Sequence, residues 1–290
     1  MSQEIRIYKN ESNNKNFKNF FRKFSITNWL ILVNIIIFIV SYLFIGIFKE
    51  EKVFMYFALQ ANAFFSGNYW TLLTSMFMHG SLAHLLFNMI SLFFIGNFVE
   101  KIIGRKRFFW FYIIAGILAG LFYVILSYLF GTGYIGEKIF VNPNIFAVGA
   151  SGAIFSLLGL LALLTPFNRV YLIAGPLIAI VIQSILAQLF PESSLISGLD
   201  ILITIYFFIA VFSMLSFSPV LRKIAVPLEM PFWLLPIIAI VPLVIIGLFI
   251  NLPIGNTAHL GGLLIGLAYA YYLKKKYKRK TEMIKKYFSK

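Results

Sequence analysis

Long apolar runs alternate with short polar or basic segments along most of this chain. Eight of these runs approach the ~20 residues that an α-helix needs to cross the hydrocarbon core of a bilayer. The runs cover about Trp29–Phe48, Ser81–Val99, Phe108–Phe130, Val148–Thr165, Val170–Leu189, Leu199–Phe217, Phe232–Ile250 and Ala258–Leu273. The pattern predicts an all-α polytopic membrane protein with about eight transmembrane helices.

The polar segments divide the chain into three parts. We expect a basic tail over residues 1–26, a membrane domain over residues 27–273 and a second basic tail over residues 274–290. Within the membrane domain, the stretch from about Lys49 to Gly80 is too interrupted by Asn, Ser and Gly to cross. Its many aromatic side chains suit an element that lies in the outer interface.

Composition and charge agree with this assignment. The chain is 60% hydrophobic and only 12% charged, whereas soluble domains carry roughly 25% charged residues. The net charge of +15 resides mainly in the tails and in alternate loops, which is the distribution of cytoplasmic segments rather than of a nucleic-acid-binding surface. With both termini in the cytoplasm, the only basic residues expected on the outer side of the membrane are Lys49, Lys52 and Lys138. We expect an integral protein of the cell (plasma) membrane that contacts the lipid bilayer and binds no nucleic acid.

Several kinds of catalytic site are excluded by residue content. The chain has no cysteine, so it has no thiol nucleophile and no iron–sulfur cluster. It has three histidines, none of them in the His-Glu-x-x-His spacing of a zinc protease. We therefore expect neither thiol chemistry nor a zinc-protease site.

The predicted topology places four polar side chains at one depth, about a turn below the outer surface. His84 and Asn88 lie in the second span, Ser151 begins the fourth and His259 lies in the first turn of the eighth. The i, i+4 spacing puts His84 and Asn88 on one helix face. Each residue taken singly is also explained by an interhelical hydrogen bond, and the small residues around Ser151 by close helix packing. Four such residues on three helices at one level favour a functional site.

A serine with a histidine suggests nucleophilic acyl transfer, in which imidazole accepts the hydroxyl proton and later delivers it to the leaving group. Asp200 begins a different span and Glu100 lies at the opposite end of the second span, so neither completes a triad. A dyad is the better interpretation. His84 and Asn88 can supply side-chain N–H groups to an oxyanion, and the backbone N–H of Ser151 is free at a helix start.

These residues resemble the rhomboid family of intramembrane serine proteases. The resemblance rests on three motifs: His84-Leu-Leu-Phe-Asn88, Gly149-Ala-Ser151-Gly152 and Ala258-His259-Leu260-Gly261-Gly262. It implies a rhomboid-like helix bundle in which Ser151 is the nucleophile and His259 its base. It also implies that no metal and no cofactor is needed. It also implies an oxyanion hole formed by His84, Asn88 and the Ser151 amide. The supporting positions are Gly149, Gly152, Phe155, Asn256, Gly262 and His79.

The chain departs from the family pattern at three points. Thr71 follows Trp70 where the family commonly has arginine, and Phe155 replaces an aromatic residue that often carries a hydroxyl. Three spans separate the serine and histidine helices where rhomboids usually have one. The expected fold is thus a six-helix core with two inserted spans over about residues 170–217.

The family resemblance implies a serine endopeptidase that hydrolyses peptide bonds of transmembrane protein substrates near the outer membrane face. A catalytically silent rhomboid-like binder or chaperone of membrane helices is the alternative, although such a protein would be expected to have lost the serine, the histidine or the asparagine. A transporter that uses His84 and His259 as proton carriers is disfavoured, because internal repeats are lacking and intramembrane carboxylates are scarce.

Overall fold

The computed structural model describes residues 24–190, 193, 195–216, 218–249 and 255–288. Most of the predicted N-terminal tail, residues 1–23, and residues 289–290 of the C-terminal tail lie outside this part. The protein is a mostly helical polytopic membrane protein. Its first helices are α1 (Ile26–Phe48), α2 (Glu50–Phe57), α3 (Ala61–Phe65), α4 (Thr71–Thr74), α5 (Leu82–Ser91), α6 (Asn97–Ile103), α7 (Arg105–Phe130), α8 (Gly133–Phe140) and α9 (Ser151–Leu164). The later helices are α10 (Ala174–Leu189), α11 (Leu195–Leu215), α12 (Pro219–Arg222), α13 (Leu235–Phe249), α14 (Asn256–Lys276) and α15 (Lys278–Tyr287).

Several of these helices have the length and apolar character of membrane spans. Among the described residues, Ile26–Phe48, Leu82–Ile103 and Arg105–Phe130 are long and apolar enough to cross a bilayer. The second of these joins α5 to α6 through a π-helical segment, Leu92–Gly96. Shorter apolar helices include α9, α10, part of α11 and α13. The total of eight spans remains a prediction. Short helices (α2 to α4) occupy much of the interrupted stretch between Lys49 and Gly80, and its place in the outer interface stays a prediction.

Helix α9 lies at the centre of the bundle and packs against both α7 and α14. Most of its residues are buried, and Leu157, Leu160 and Leu161 are fully so. Facing glycines allow α9 and α14 to approach closely. A Cβ atom added at Gly159 would meet the Leu263 backbone carbonyl, and one at Gly266 would meet the carbonyl of Ser156. This close approach fixes the relative positions of the two helix starts, where Ser151 and His259 lie.

The carboxylate of Glu100 connects the start of α1 to the middle of α6. It is buried, and it accepts hydrogen bonds from the Ile26 amide at 2.9 Å and from both the amide and the hydroxyl of Thr27 at 2.8 Å. Arg105 Nε lies 3.6 Å from the same carboxylate. Since the first amides of a helix have no intrahelical partner, an acceptor and a negative charge both stabilise this end.

Replacing Glu100 by glutamine should therefore lower the free energy of unfolding by about 1.5–3 kcal/mol, because charged hydrogen bonds are lost and an amide donor then faces amide donors. Thermal unfolding in detergent micelles measures the effect. Glu51→Gln is the matched control, since Glu51 is exposed and its change should stay within about 0.5 kcal/mol. Equal shifts in the two variants would contradict the capping role of Glu100.

Two short strands form a ribbon that the sequence did not predict. Strand β1 (Arg169–Ile173) pairs antiparallel with β2 (Pro227–Pro231), from Arg169↔Pro231 to Ile173↔Pro227. The segment between them, which contains α10 to α12, therefore begins and ends at adjacent points. Helix α11 packs against α5, with the rings of Phe87 and Phe207 4.0 Å apart. The ribbon fits an inserted helical pair, and the insertion at about residues 170–217 stays a prediction.

Candidate active site

The turn before α9 presents Ser151 at the start of that helix. Gly149 has φ = 120°, a conformation that side-chain-bearing residues rarely adopt. A Cβ atom at this position would also lie 2.8 Å from His84 Nε2. The Gly149 amide donates to the Ser75 carbonyl at 2.9 Å. Glycine is thus required here both for the backbone angle and for the approach of His84.

Ser151 and His259 are in direct contact. The distance from Ser151 Oγ to His259 Nε2 is 2.8 Å, although the two residues are 108 positions apart in the chain. His259 lies in the first turn of α14 and is buried. A Cβ atom at Gly262 would meet the Gly152 carbonyl, so the absence of a side chain at Gly262 permits the N-terminal parts of the two helices to approach. A hydroxyl and an imidazole at this separation can exchange a proton.

The imidazole of His259 is held by an aromatic ring. The Phe155 ring stacks on it with a centroid distance of 4.3 Å and an interplanar angle of 14°. Within the described ranges, His259 Nδ1 has no hydrogen-bond partner, so no carboxylate there contacts it. Among the described residues, this geometry is that of a serine–histidine pair without an acidic third member.

His84 and Asn88 lie on the other side of the Gly149 turn. Asn88 is buried, its Nδ2 donates to the His84 carbonyl at 3.1 Å, and the same nitrogen lies 3.5 Å from the Cβ position of Gly149. Ser81 Oγ accepts from the His84 amide at 3.1 Å and so caps α5. The two side chains with N–H groups therefore face the turn that leads into Ser151.

Two of the predicted supporting residues stand further from the Ser151–His259 contact. The His79 ring packs edge-on against His84 with a centroid distance of 5.1 Å. Burial lowers the pKa of His79 to about 3, and the neighbouring His84 adds to this shift, so His79 is neutral at physiological pH. Asn256 begins α14, and its Nδ2 lies 3.6 Å from the Cβ position of Gly247 in α13. The remaining predicted positions (Gly149, Gly152, Phe155 and Gly262) surround the contact.

Backbone contacts before Ser151 were missed by the sequence reasoning. Leu59 and Ala147 form an antiparallel bridge, with N–O distances of 3.0 and 2.7 Å, which links the segment between α2 and α3 to the residues that precede α9. The Ser75 carbonyl, which accepts from Gly149, is a second example. Main-chain groups are common to nearly all residue types, so such contacts carry no recognisable sequence signal.

Comparison with known proteins places the central part of the chain in one family. Residues 66–199 match the Rhomboid domain, a range that includes α9 and ends before α14. The chain is 35% identical over 124 residues to the rhomboid protease GluP of Bacillus subtilis, covering 43% of this chain and 21% of GluP. It is 28% identical over 138 residues to the rhomboid protease AarA of Providencia stuartii, covering 46% and 48%.

A plant relative shows the same similarity over a shorter range. The chain is 41% identical over 90 residues to RHOMBOID-like protein 4 of Arabidopsis thaliana, covering 31% of this chain and 19% of the relative. In each of these three comparisons the match spans less than half of the relative's length.

Proposed function

The chain belongs to the rhomboid family, and on that premise we propose that it is an intramembrane serine protease with Ser151 and His259 as a catalytic dyad. The observation that carries the proposal is the 2.8 Å contact between Ser151 Oγ and His259 Nε2. Relatives named as proteases support the general class of activity.

The reaction follows from the dyad. Neutral His259 Nε2 accepts the Ser151 hydroxyl proton as Oγ attacks the scissile carbonyl, and it then gives that proton to the departing amine. The C–N bond breaks and an acyl-enzyme remains on Ser151. Water repeats the sequence, losing a proton to Nε2 and releasing the carboxylic acid as the proton returns to Oγ. The Phe155 ring stacked on His259 holds the imidazole in the plane that this transfer needs.

The negative charge of each tetrahedral intermediate must be stabilised by hydrogen-bond donors. We assign the oxyanion hole to the side-chain N–H groups of His84 and Asn88 and to the backbone N–H of Ser151. Both side chains face the Gly149 turn, and the positive end of the α9 dipole adds to the stabilisation.

Replacing Asn88 by alanine should lower kcat by up to ~100–1000-fold without unfolding the protein, because one oxyanion donor is removed. Cleavage of a single-span substrate in vesicles measures the rate. Asn97→Ala is the matched control, since Asn97 Nδ2 also donates to the carbonyl four residues earlier, at 2.7 Å, but in α6. A comparable loss in both variants would point to helix stability instead of catalysis.

The proposed substrates are transmembrane proteins that enter from the bilayer and unwind locally near its outer face. This follows from the predicted topology, in which α9 and α14 begin on the outer side with both chain termini in the cytoplasm. The membrane itself is proposed to be the plasma membrane. Small or helix-destabilising residues near the scissile bond should favour cleavage, because a helical peptide bond is shielded by its own turn.

A fluorophosphonate probe tests the dyad on the purified full chain in detergent. Wild type should label, and Ser151→Ala and His259→Ala should not, while all three keep the same unfolding temperature. Ser156→Ala is the control serine of the same helix, where Oγ donates to the Ala153 carbonyl at 2.6 Å, and it should label like wild type. Folded wild type that never labels would overturn the proposal and favour a non-proteolytic binder of membrane helices.

A further inference from the structure

A cavity lies at the far end of α9 from Ser151. Its volume is about 200 Å³, and it opens between the last turn of α9, the last turn of α14 and helix α15. It is lined by Leu163, Leu164, Lys274, Thr281, Glu282 and Lys285. Because α9 is 14 residues long, at 1.5 Å rise per residue the cavity is roughly 20 Å from the candidate active site. It is therefore a separate feature of the fold.

The lining combines an apolar side with a cationic one. Leu163 and Leu164 come from the central bundle, whereas Lys274 and Lys285 bring two ammonium groups from different helices. Neither lysine makes an ion pair with a carboxylate in the part of the chain that the structure describes. The Lys285 ammonium instead lies 5.4 Å from the centroid of the Phe167 ring. Glu282 opposes these charges in part, and the Thr281 hydroxyl is occupied by the Lys278 carbonyl at 2.9 Å.

Helix α15 has the character of a helix that lies in a membrane interface. It follows α14 after a break at Tyr277 and is rich in lysine. Phe288, directly after its end, packs on Phe98 with a centroid distance of 5.0 Å, which holds the helix under the bundle. Met283 and Tyr287, spaced i, i+4 on one face, are 57% and 75% exposed. Exposed apolar side chains flanked by lysines suit the boundary between headgroups and acyl chains.

We propose that this cavity binds the phosphate of an anionic glycerophospholipid, with Lys274 and Lys285 pairing with the phosphate and the leucines contacting the start of an acyl chain. A free anion would use only the cationic side of the cavity, whereas an amphipathic lipid matches both sides. The expected cytoplasmic location of α15 places it against the leaflet that carries anionic lipids. A lipid bound here would join the ends of the serine and histidine helices to the C-terminal helix.

The test is a titration of the full chain in detergent with phosphatidylglycerol or phosphatidylcholine, followed by native mass spectrometry. Wild type should retain phosphatidylglycerol preferentially. Lys274→Gln/Lys285→Gln should bind it roughly 30-fold more weakly, from the contribution of two lysines near an anionic headgroup. The matched control is Lys275→Gln/Lys280→Gln, which removes the same charge from the same two helices outside the cavity. It should bind like wild type.

A second variant keeps the test independent of any loss of stability. Glu282→Gln removes the opposing charge and should tighten phosphatidylglycerol binding about fivefold. Phosphatidylglycerol should also raise the unfolding temperature of wild type and of Glu282→Gln, but not of the cavity double variant, since a ligand stabilises the state that binds it.

Three results would overturn the proposal. An equal loss of phosphatidylglycerol binding in the cavity and control double variants would mean that the lipid is attracted to the basic surface as a whole. Equal retention of the two lipids would exclude recognition of an anionic headgroup. Stabilisation by inorganic phosphate alone, to the same extent and lost in the same variant, would assign the cavity to a free anion. Because binding and unfolding are measured without substrate, failure here leaves the proposed protease activity unaffected.

Discussion

Replacing either Ser151 or His259 by alanine should lower kcat for peptide hydrolysis by roughly 10⁴-fold or more, the scale seen when a nucleophile or its base is removed. Without Oγ there is no acyl-enzyme, and without Nε2 nothing accepts the hydroxyl proton. The measurement is single-turnover cleavage of a single-span substrate in vesicles. Labelling by the fluorophosphonate should be lost in parallel.

The double variant Ser151→Ala/His259→Ala sharpens this prediction. Residues that act as one unit are strongly non-additive, so the double variant should be no slower than the worse single variant. The 2.8 Å contact between the two side chains is the reason to expect a unit. If the fold-losses in kcat of the two single variants multiplied in the double variant, His259 would act independently of the Ser151 proton. That result would contradict the dyad.

The residues of the candidate site could be predicted from the sequence, whereas most contacts around them could not. Apolar runs and basic loops predict where each helix starts, and this predicted depth, together with the three motifs that resemble the rhomboid family, groups His84, Asn88, Ser151 and His259. The structure brings Ser151 and His259 into contact and turns His84 and Asn88 towards Gly149. Gly262 and Gly266 lie four residues apart in α14, and this helix is a packing partner of α9.

Pairings between segments that lie far apart in the chain could not be predicted from the sequence. Strands β1 and β2 are separated by the whole α10–α12 segment. The residues of β1 from Val170 onward fall at the start of a predicted membrane span, whereas β2 precedes the span predicted from Phe232. Glu100 was recognised as closing the second span, but its hydrogen bonds go to Ile26 and Thr27, more than 70 residues earlier. A single sequence has no periodicity that records such partners. The π-helical segment Leu92–Gly96 likewise lies inside an apolar run, whose hydrophobic pattern does not distinguish it from an α-helix.

Replacing Gly262 by valine should slow peptide hydrolysis through a change in helix packing alone. A side chain at this position meets the Gly152 carbonyl, a backbone atom that no rotamer change moves aside, and a Cβ atom would lie 3.4 Å from Phe155 Cβ. The starts of α9 and α14 must then separate, and overpacking of this kind costs about 1–3 kcal/mol. A separation of about 1 Å between Ser151 and His259 is enough to slow the reaction ~100-fold.

The control for Gly262→Val is Gly46→Val in α1, where an added Cβ atom has no neighbour within 4 Å. That variant should keep its activity, and its unfolding temperature should change little. Gly262→Ala should fall between wild type and Gly262→Val in both rate and stability, since it adds one carbon instead of three. A Gly262→Val protein with wild-type cleavage would mean that α9 and α14 can part without separating the catalytic pair. The glycine contact would then serve folding alone, and the position of His259 would have to depend on its stacking with Phe155.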